Sequence, residues 1–271
     1  MPPTQLSLAL LLLIGLLVGV TTVLFGFGGG FVTVPVITVA DAALGGDAVR
    51  VATATSALVM LVNAVVATLA TRREVLARLR GRAPLFVLLG LGGALGAAAA
   101  RIAPGAVLRW GFVLYVAVTA ADLLARPGFL RPAPATPAAP RAQGLPTGLG
   151  LPIGGVAAFL GVGGSVMTVP LMRRAGAPMP VAAALANPLT LVIVAPALLV
   201  SLLTRGPVPS GAGLVGLVGS VDVVSALALL TGSLPVVVAL RRRPPHIPEA
   251  VHAGTYVALL VAAGATVAVT G

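Results

Sequence analysis

Residues Gly26–Pro35 read GFGGGFVTVP, and residues Gly161–Pro170 read GVGGSVMTVP, so six of the ten positions are identical. Each stretch lies between an apolar segment and a shorter one. A second pair follows in the same order, because Pro104–Val113 (PGAVLRWGFV) and Pro248–Val257 (PEAVHAGTYV) share four of ten positions. Two matches in one order indicate an internal repeat. We therefore predict a chain built from two similar halves.

The composition is typical of a protein that lies in a bilayer. Hydrophobic residues make up 58% of the chain and charged residues only 8%, whereas soluble domains carry about 25% charged residues. The apolar runs approach the length of about 20 residues that crosses a hydrocarbon core as a helix, and they lack the alternation of membrane strands. The sequence therefore predicts an all-α polytopic membrane protein.

A Pro-rich stretch near the middle of the chain separates the two halves. Residues Arg126–Gln143 read RPGFLRPAPATPAAPRAQ, which has no helical periodicity and is typical of a linker. We predict a first transmembrane repeat over residues 1–125, a cytoplasmic linker over 126–144 and a second transmembrane repeat over 145–271.

Each half contains five apolar segments, which are the predicted helices. The first is expected to be a retained span and not a secretory signal, because no Arg precedes it. The segments are Gln5–Phe25, Phe31–Gly45, Asp47–Ala70, Pro84–Ala100 and Ala106–Ala125, then Leu145–Leu160, Ser165–Met172, Met179–Leu203, Gly211–Leu240 and Glu249–Thr270.

The second segment of each half is too short to cross a bilayer comfortably. Ser165–Met172 would cover only about 12 Å, so it is predicted to be a half-helix or a re-entrant element. The distribution of arginine distinguishes a topology of five passes per half from one of four, because cations in loops favour the cytoplasmic side. Five passes per half place 13 Arg inside and 4 outside, whereas four passes give 9 and 8. We predict two inverted repeats of about five helical segments each, with both termini outside.

Positive charge in loops also accounts for the net charge of +11, which comes from 17 Arg and no Lys. Nucleic acid is therefore not an expected partner. Cysteine is absent, so disulfides and thiolate sites are excluded. His246, Glu249 and His252 fit no metal-ligand spacing, and an ordinary polar loop is the better interpretation. We expect no metal, no cofactor and no catalytic residue.

The duplicated Gly-rich turn is the candidate binding site. Glycine permits positive φ and close approach of another group, and N–H groups at the start of the following short helix favour negative charge. Two such helix starts meeting near the membrane midplane would bind a small anion. The alternative is helix packing, since Gly26 and Gly30 form a GxxxG pair, and both roles can hold together.

The predicted site combines the turn residues, the Thr and Pro that follow them, and polar residues of the third segments. It comprises Gly26, Gly28, Gly29, Gly30, Thr33, Pro35, Thr55, Ser56, Gly161, Gly163, Gly164, Ser165, Thr168, Pro170 and Asn187. Thr53, Asn63 and Thr190 also lie in predicted spans, where they could bind the anion or hydrogen-bond neighbouring helices.

Asp222 is a separate candidate, for proton coupling. It falls about midway along Gly211–Leu240, where a carboxylate is costly and should face protein or water. One interpretation is that it carries a coupled proton. The other is a structural Asp that is protonated or paired with Arg.

The GxGGGxxxxP pattern at Gly26–Pro35, its GxGG version at Gly161–Pro170 and the two-half layout resemble the sulfite exporter TauE/SafE family. The resemblance covers nearly the whole chain. It implies a multi-pass transporter in the bacterial inner membrane that moves small sulfur-containing anions such as sulfite or organosulfonates. Two departures bear on the substrate: Ser165 replaces the third Gly, and Ala186–Pro188 reads ANP where Ala54–Ser56 reads ATS.

The leading functional hypothesis is a secondary anion transporter, because the chain contains no GxxxxGK nucleotide-binding pattern. A passive anion channel is an alternative, since broken helices permit it as well. A membrane-embedded enzyme is a third, for which only the sparse His246, Glu249 and His252 group qualifies. The expected partners are a small anionic substrate, the lipid bilayer and a candidate coupling proton, and the oligomeric state is left open.

Overall fold

The computed structural model describes residues 8–40, 48–130, 145–203, 217–218 and 221–270. These ranges contain eleven helices, two 3-10 turns at Ala77–Leu79 and Thr147–Leu149, and an antiparallel pair of two-residue strands, Leu217–Val218 and Val221–Asp222. The helices are α1 (Leu8–Phe25), α2 (Gly30–Ala40), α3 (Ala48–Leu69), α4 (Arg73–Leu76), α5 (Ala83–Ile102), α6 (Gly105–Ala125), α7 (Gly150–Leu160), α8 (Ser165–Arg174), α9 (Met179–Leu203), α10 (Val223–Arg242) and α11 (Glu249–Thr270).

Every predicted apolar segment overlaps with one of these helices, and the all-α polytopic membrane fold is confirmed. Within the described ranges, six helices are long and apolar enough to cross a bilayer, namely α3, α5, α6, α9, α10 and α11. The largest boundary error concerns Gly211–Leu240, because α10 begins only at Val223. Residues 131–144, most of the predicted linker, lie outside the described residues, so the division of the chain into three parts stays a prediction.

Three of the four helices that flank the two Gly-rich turns are too short to cross a bilayer. α2 and α7 have 11 residues each and α8 has 10, so each covers only about 15–17 Å of a core about 30 Å thick. Ten complete passes are therefore more than the described helices supply. The hydropathy of these segments is that of a span, but the glycine turns interrupt them halfway.

Hydrogen bonds between helix termini define the two ends of the bundle. α9 begins beside Glu249 at the start of α11, since the Met179 N–H donates to the Glu249 carboxylate at 3.4 Å. The far ends of α9 and α5 also meet, since Arg101 donates to the Ser201 carbonyl at 3.5 Å. α5 and α9 therefore run in the same direction. The N-terminal end of α5, next to Arg82, lies at the Glu249 end.

Both outer ends of the α7–α8 hairpin lie at this same end of the bundle. Before α7, the Leu145 carbonyl accepts a hydrogen bond from Arg82 at 3.0 Å. At the end of α8, Arg173 donates to the Phe129 carbonyl at 2.9 Å and pairs with Glu249. α7 and α8 thus form a helical hairpin that enters the bundle and returns, which is the re-entrant alternative predicted for the short segment.

We call the Glu249 end the arginine-rich end, because it carries Arg82, Arg126, Arg173 and Arg174. All four belong to loops that the arginine count places inside. Two Arg that the count places outside lie at the opposite end, where Arg101 contacts Ser201 and Arg109 donates to the Ala268 carbonyl at 2.7 Å. For these residues the partition agrees with the count. Membrane orientation and the inversion of the repeats stay predictions.

The packing of the two halves follows one pattern. The first apolar segment of each half packs on the fourth apolar segment of the other half, as α1 packs on α10 and α7 on α5. The third segments, α3 and α9, contact each other, and so do the fifth segments, α6 and α11. Glycine permits the first two contacts. A β-carbon added at Gly15 would lie 2.5 Å from the Leu229 carbonyl oxygen, and one added at Gly92 would lie 2.3 Å from that of Leu151. Larger residues would force these helices apart.

Candidate functional site

The two Gly-rich turns share their backbone conformation at the first two equivalent glycine pairs, Gly26 with Gly161 and Gly28 with Gly163. Positive φ occurs at five turn glycines, which are Gly26 (72°), Gly28 (63°), Gly29 (100°), Gly161 (69°) and Gly163 (71°). The expectation of positive φ is wrong at Gly164, which has φ of −77° and precedes α8 as its N-cap. Its constraint is steric instead, since an added β-carbon would lie 2.4 Å from Cδ1 of Ile193.

The structure brings the two turns together on one pair of side chains. A β-carbon added at Gly28 would lie 3.3 Å from Cγ2 of Thr190 and 3.5 Å from Cγ of Met60. One added at Gly163 would lie 3.1 Å from the same Thr190 methyl and 3.0 Å from Sδ of Met60. Met60 belongs to α3 and Thr190 to α9, so both turns lie at the contact between the third helices of the two halves.

A short helix starts directly after each turn. The Val32 and Thr33 N–H groups donate to the Gly29 carbonyl at 3.0 and 2.9 Å, and the Met167 and Thr168 N–H groups donate in the same way to Gly164 at 3.2 and 2.9 Å. The N–H groups before these are the ones that a helix start leaves without an intrahelical partner. Both turns therefore present backbone donors and the positive end of a helix dipole.

Side chains around the first turn are engaged within the protein. The Thr33 hydroxyl donates to the Gly29 carbonyl at 2.9 Å. Asn63 donates to the Gly28 carbonyl at 3.4 Å and accepts from the Ser233 hydroxyl at 2.9 Å. These bonds connect α2, α3 and α10. Asn63 therefore acts as a helix-to-helix contact, which is one of its two predicted roles.

Thr55 and Ser56 are also occupied, and both bonds cross between the halves. The Ser56 hydroxyl donates to the Gly161 carbonyl at 3.0 Å, so α3 holds the second turn in place. The Thr55 hydroxyl accepts from the Asp222 N–H at 2.9 Å, so it anchors the start of α10. Both side chains are fully buried.

The second turn differs, because several of its buried polar atoms have no hydrogen-bond partner. Among the described residues this holds for the hydroxyls of Ser165, Thr168 and Thr190 and for Oδ1 of Asn187. All four side chains are fully buried, while the Asn187 amide nitrogen donates to the Ala183 carbonyl at 3.0 Å. An unpaired buried polar group costs about 1–3 kcal/mol. The Ser165 and Thr168 hydroxyls belong to the second turn and the Thr190 side chain contacts both turns, whereas Asn187 follows Ala183 and Ala186, which approach Gly26 of the first turn.

Both predicted site prolines lie inside the short helices, Pro35 in α2 and Pro170 in α8. Proline lacks an N–H, so it leaves the carbonyl four residues earlier without its helical donor. For Pro170 that carbonyl belongs to Val166, which accepts from the Tyr256 hydroxyl at 3.4 Å. The same hydroxyl also lies 3.3 Å from the Ser165 carbonyl. Pro170 therefore helps to attach α8 to α11.

The predicted location of Asp222 within a span is wrong. Asp222 is the N-cap of α10, where its carboxylate accepts from the Ser225 N–H at 3.0 Å. Asp is among the best N-cap residues, since its side chain satisfies an N–H that the helix start leaves open. Asp before an apolar periodic run is the sequence signal that locates this helix start. The apolar run before it, residues 211–216, lies outside the described residues.

A cavity of about 40 Å³ lies between α3, α5, α7 and α9, next to the second turn. Gly161 and Met60 line its inner part, and Arg101 and Ser201 line it at the end opposite the arginine-rich one. Arg101 is the only charged residue in this lining, within the part of the chain that the structure describes. The predicted site does not include Arg101. Its position on the side with few cations is the signal that could have drawn attention to it.

The His246, Glu249 and His252 group does not form a metal site. Glu249 pairs with Arg173, and His252 Nε2 lies 2.7 Å from the Leu24 carbonyl oxygen. In the described ranges no three His, Cys, Asp or Glu residues lie close enough together to hold a metal ion. Arg173 itself is fully buried, and it attaches α8 to α11.

Comparison with known proteins gives one family. The family model described as sulfite exporter TauE/SafE matches residues 11–267. This range begins within α1, ends within α11 and contains both turns. No curated protein and no solved structure gives a significant match.

Proposed function

Because the chain belongs to the sulfite exporter TauE/SafE family, we propose that it is a secondary transporter of sulfite or a similar small sulfur-containing anion. It is a multi-pass membrane protein, and the bacterial inner membrane is the proposed location. One observation carries the proposal: both glycine turns contact Met60 and Thr190. Two helix starts directed at one place in a bundle of apolar helices would stabilise a small anion there.

The chemistry of the second turn fits an oxyanion. An anion with several oxygen atoms accepts hydrogen bonds from backbone N–H groups and from the hydroxyls of Ser165, Thr168 and Thr190, which lack other partners among the described residues. Each such bond to a charged group contributes about 1.5–3 kcal/mol. Asn187 follows Ala183 and Ala186, which approach Gly26 of the first turn, and its oxygen would favour a protonated oxyanion over a fully ionised one on that side of the site.

Inverted repeats are part of the proposal, since they let one site face either side of the membrane in turn. Parallel contacts support them, because Gly15 and Gly19 of α1 approach Leu229 and Ser233 of α10 in increasing order. The α1–α2 hairpin would then enter from the end opposite the α7–α8 hairpin. Single cysteines in this Cys-free chain test the orientation. Cys at 78 and 242 should resist an impermeant thiol reagent on whole cells, and Cys at 205 should react.

Reconstitution tests the function directly. Purified protein in liposomes should take up labelled sulfite faster than protein-free liposomes, and an imposed pH gradient should drive accumulation above the external concentration. Sulfate, thiosulfate and small sulfonates should compete to different degrees. Uptake that only reaches equilibrium, with or without the gradient, would identify a passive channel. No uptake of any of these anions would contradict the proposal.

A further inference from the structure

Two arginines lie near the ends of the fourth segments of the two halves. Gly15 approaches Leu229 as Gly150 approaches Leu85, so Arg241 corresponds to Ala97, one helical turn before Arg101, and Ala97 also lines the cavity. Arg101 is the penultimate residue of α5, which ends at Ile102, and Arg241 is the penultimate residue of α10, which ends at Arg242. α5 and α10 are the fourth segments of their halves, and each packs against the first helix of the other half. The two side chains lie at opposite ends of the bundle, because α5 ends beside Ser201 and α10 ends shortly before Glu249.

Arg101 lines the cavity that reaches the second turn. The hydrogen bond from its side chain to the Ser201 carbonyl is 3.5 Å long and therefore at the weak limit of such bonds. The other lining residues near it are small and apolar, among them Ala97, Ala100 and Ala197. A volume of about 40 Å³ holds about three water molecules, which is close to the size of an oxyanion with four heavy atoms.

Whereas Arg101 borders a cavity, the guanidinium group of Arg241 is largely enclosed by protein. Its Nε and Nη2 groups are buried and have no hydrogen-bond partner among the described residues. Two other arginines at the same end, Arg173 and Arg174, also have a buried Nε without a partner among the described residues, but each pairs with a carboxylate through a terminal nitrogen. Attraction to the helix C-terminus explains a cation at the end of α10, and the exposed Arg242 and Arg243 already supply it. It does not explain buried N–H groups that lack an acceptor, and an oxyanion is the acceptor that a guanidinium fits best.

We propose that Arg101 and Arg241 capture the anion at the two ends of one path through the glycine turns. The ligand class is a small oxyanion, and the inference rests on the proposed transport function. In the structure the cavity that Arg101 lines also borders Gly161, whereas Nε and Nη2 of Arg241 are buried. Exchange of the two environments would open the path toward Arg241, as the pseudo-symmetric helix contacts allow.

The test compares flux from each side in right-side-out and inside-out membrane vesicles. Arg101→Gln should raise the half-saturating sulfite concentration about tenfold or more on one side only, and Arg241→Gln should do so on the other side. Arg109→Gln and Arg242→Gln are the controls, since each removes the same charge from the same end without entering the path. Both should stay within about twofold of the unaltered protein. Arg101→Lys and Arg241→Lys keep the charge and should recover most of the affinity.

Other outcomes would overturn the inference. Equal effects of Arg101→Gln and Arg109→Gln would show a general surface charge, and loss of sidedness would show that the two residues do not serve opposite ends. Arg241 could instead bind a lipid phosphate, so flux is also measured in liposomes with and without anionic phosphatidylglycerol. An Arg241→Gln effect that appears only with that lipid would assign Arg241 to lipid. If the unaltered protein moves no anion, the proposed function fails as well; if it transports and the Gln variants match their controls, this inference alone fails.

Discussion

In the first turn the Thr33 hydroxyl donates to the Gly29 carbonyl at 2.9 Å, whereas the equivalent Thr168 hydroxyl in the second turn has no partner among the described residues. Aromatic packing differs in the same sense. Phe27 lies 4.9 Å from Tyr256 between ring centroids, whereas the equivalent position in the second turn holds the smaller Val162. The same motif thus occurs once with its Thr hydroxyl hydrogen-bonded within the protein and once with a Thr hydroxyl that has no such partner among the described residues.

The two turns differ in what they contribute to the proposed site. The first turn fixes the meeting point of the helices, because its polar and aromatic groups are bonded to α3, α10 and α11. In the proposed anion site the second turn would supply most of the side-chain donors, and the cavity that Gly161 lines would give access to it. Backbone N–H groups come from both turns. The two copies of the repeat therefore share part of their backbone geometry, while unpartnered hydroxyls on the motif itself occur only in the second copy among the described residues.

The largest expected effect separates the backbones of the two turns. Gly29→Ala should destabilise the protein by about 2–5 kcal/mol, since positive φ costs about 1–2 kcal/mol and crowding adds about 1–3. Gly29 has φ of 100°, and its added β-carbon would lie 2.5 Å from Cγ1 of Val18. Gly164→Ala should cost about 1 kcal/mol or less, because φ is −77° and the end of Ile193 can move. Thermal unfolding in detergent measures both, and equal losses would remove the distinction.

The next effect concerns the residue at which the two motifs differ. Ser165→Ala removes a buried hydroxyl that has no partner among the described residues, so stability should change little. The half-saturating sulfite concentration should rise about tenfold, the value of one hydrogen bond to a charged group. Ser165→Gly, which restores the glycine of the first turn, should behave alike. Unchanged affinity in both variants would show that Ser165 does not contact the anion.

A smaller effect is expected at Asp222, whose backbone N–H donates a hydrogen bond to the Thr55 hydroxyl. Asp222→Asn keeps the N-cap acceptor, so stability should be retained, whereas Asp222→Ala should lose about 0.5–2 kcal/mol. If Asp222 carries the coupled proton, Asp222→Asn should also abolish the dependence of flux on the pH gradient. Coupling that survives in this variant would leave Asp222 with the capping role alone.

Much of the fold follows from the sequence, because apolar length and glycine punctuation are local properties. The helix bounds agree with the apolar runs within a few residues over most of the chain. Hydropathy does not distinguish a span from a hairpin of equal apolarity, so the path of α7 and α8 required contacts such as Arg82 to Leu145. The start of α10 was missed because an apolar run before Asp222 outweighed its value as an N-cap.

The sequence could not predict which of the two turns has buried hydroxyls without a hydrogen-bond partner. This difference depends on partners far away along the chain, such as Ser233, which donates to Asn63, and Asp222, which donates to Thr55. Arg101 joins the candidate site for the same reason, since the packing of α5 against α7 and α9 places it in the cavity that Gly161 also lines. The duplicated motif gives the backbone geometry, and long-range contacts decide which side chains remain available.

The central claim is that the second turn supplies the side-chain donors of the anion site, and one matched pair of variants tests it most directly. Thr168→Val and Thr33→Val each remove one buried hydroxyl and keep the side-chain shape. Sulfite affinity of both purified variants, measured by titration against the unaltered protein, should fall about tenfold or more for Thr168→Val and stay within about twofold for Thr33→Val. Equal affinities in the two variants, or a loss confined to Thr33→Val, would contradict the account.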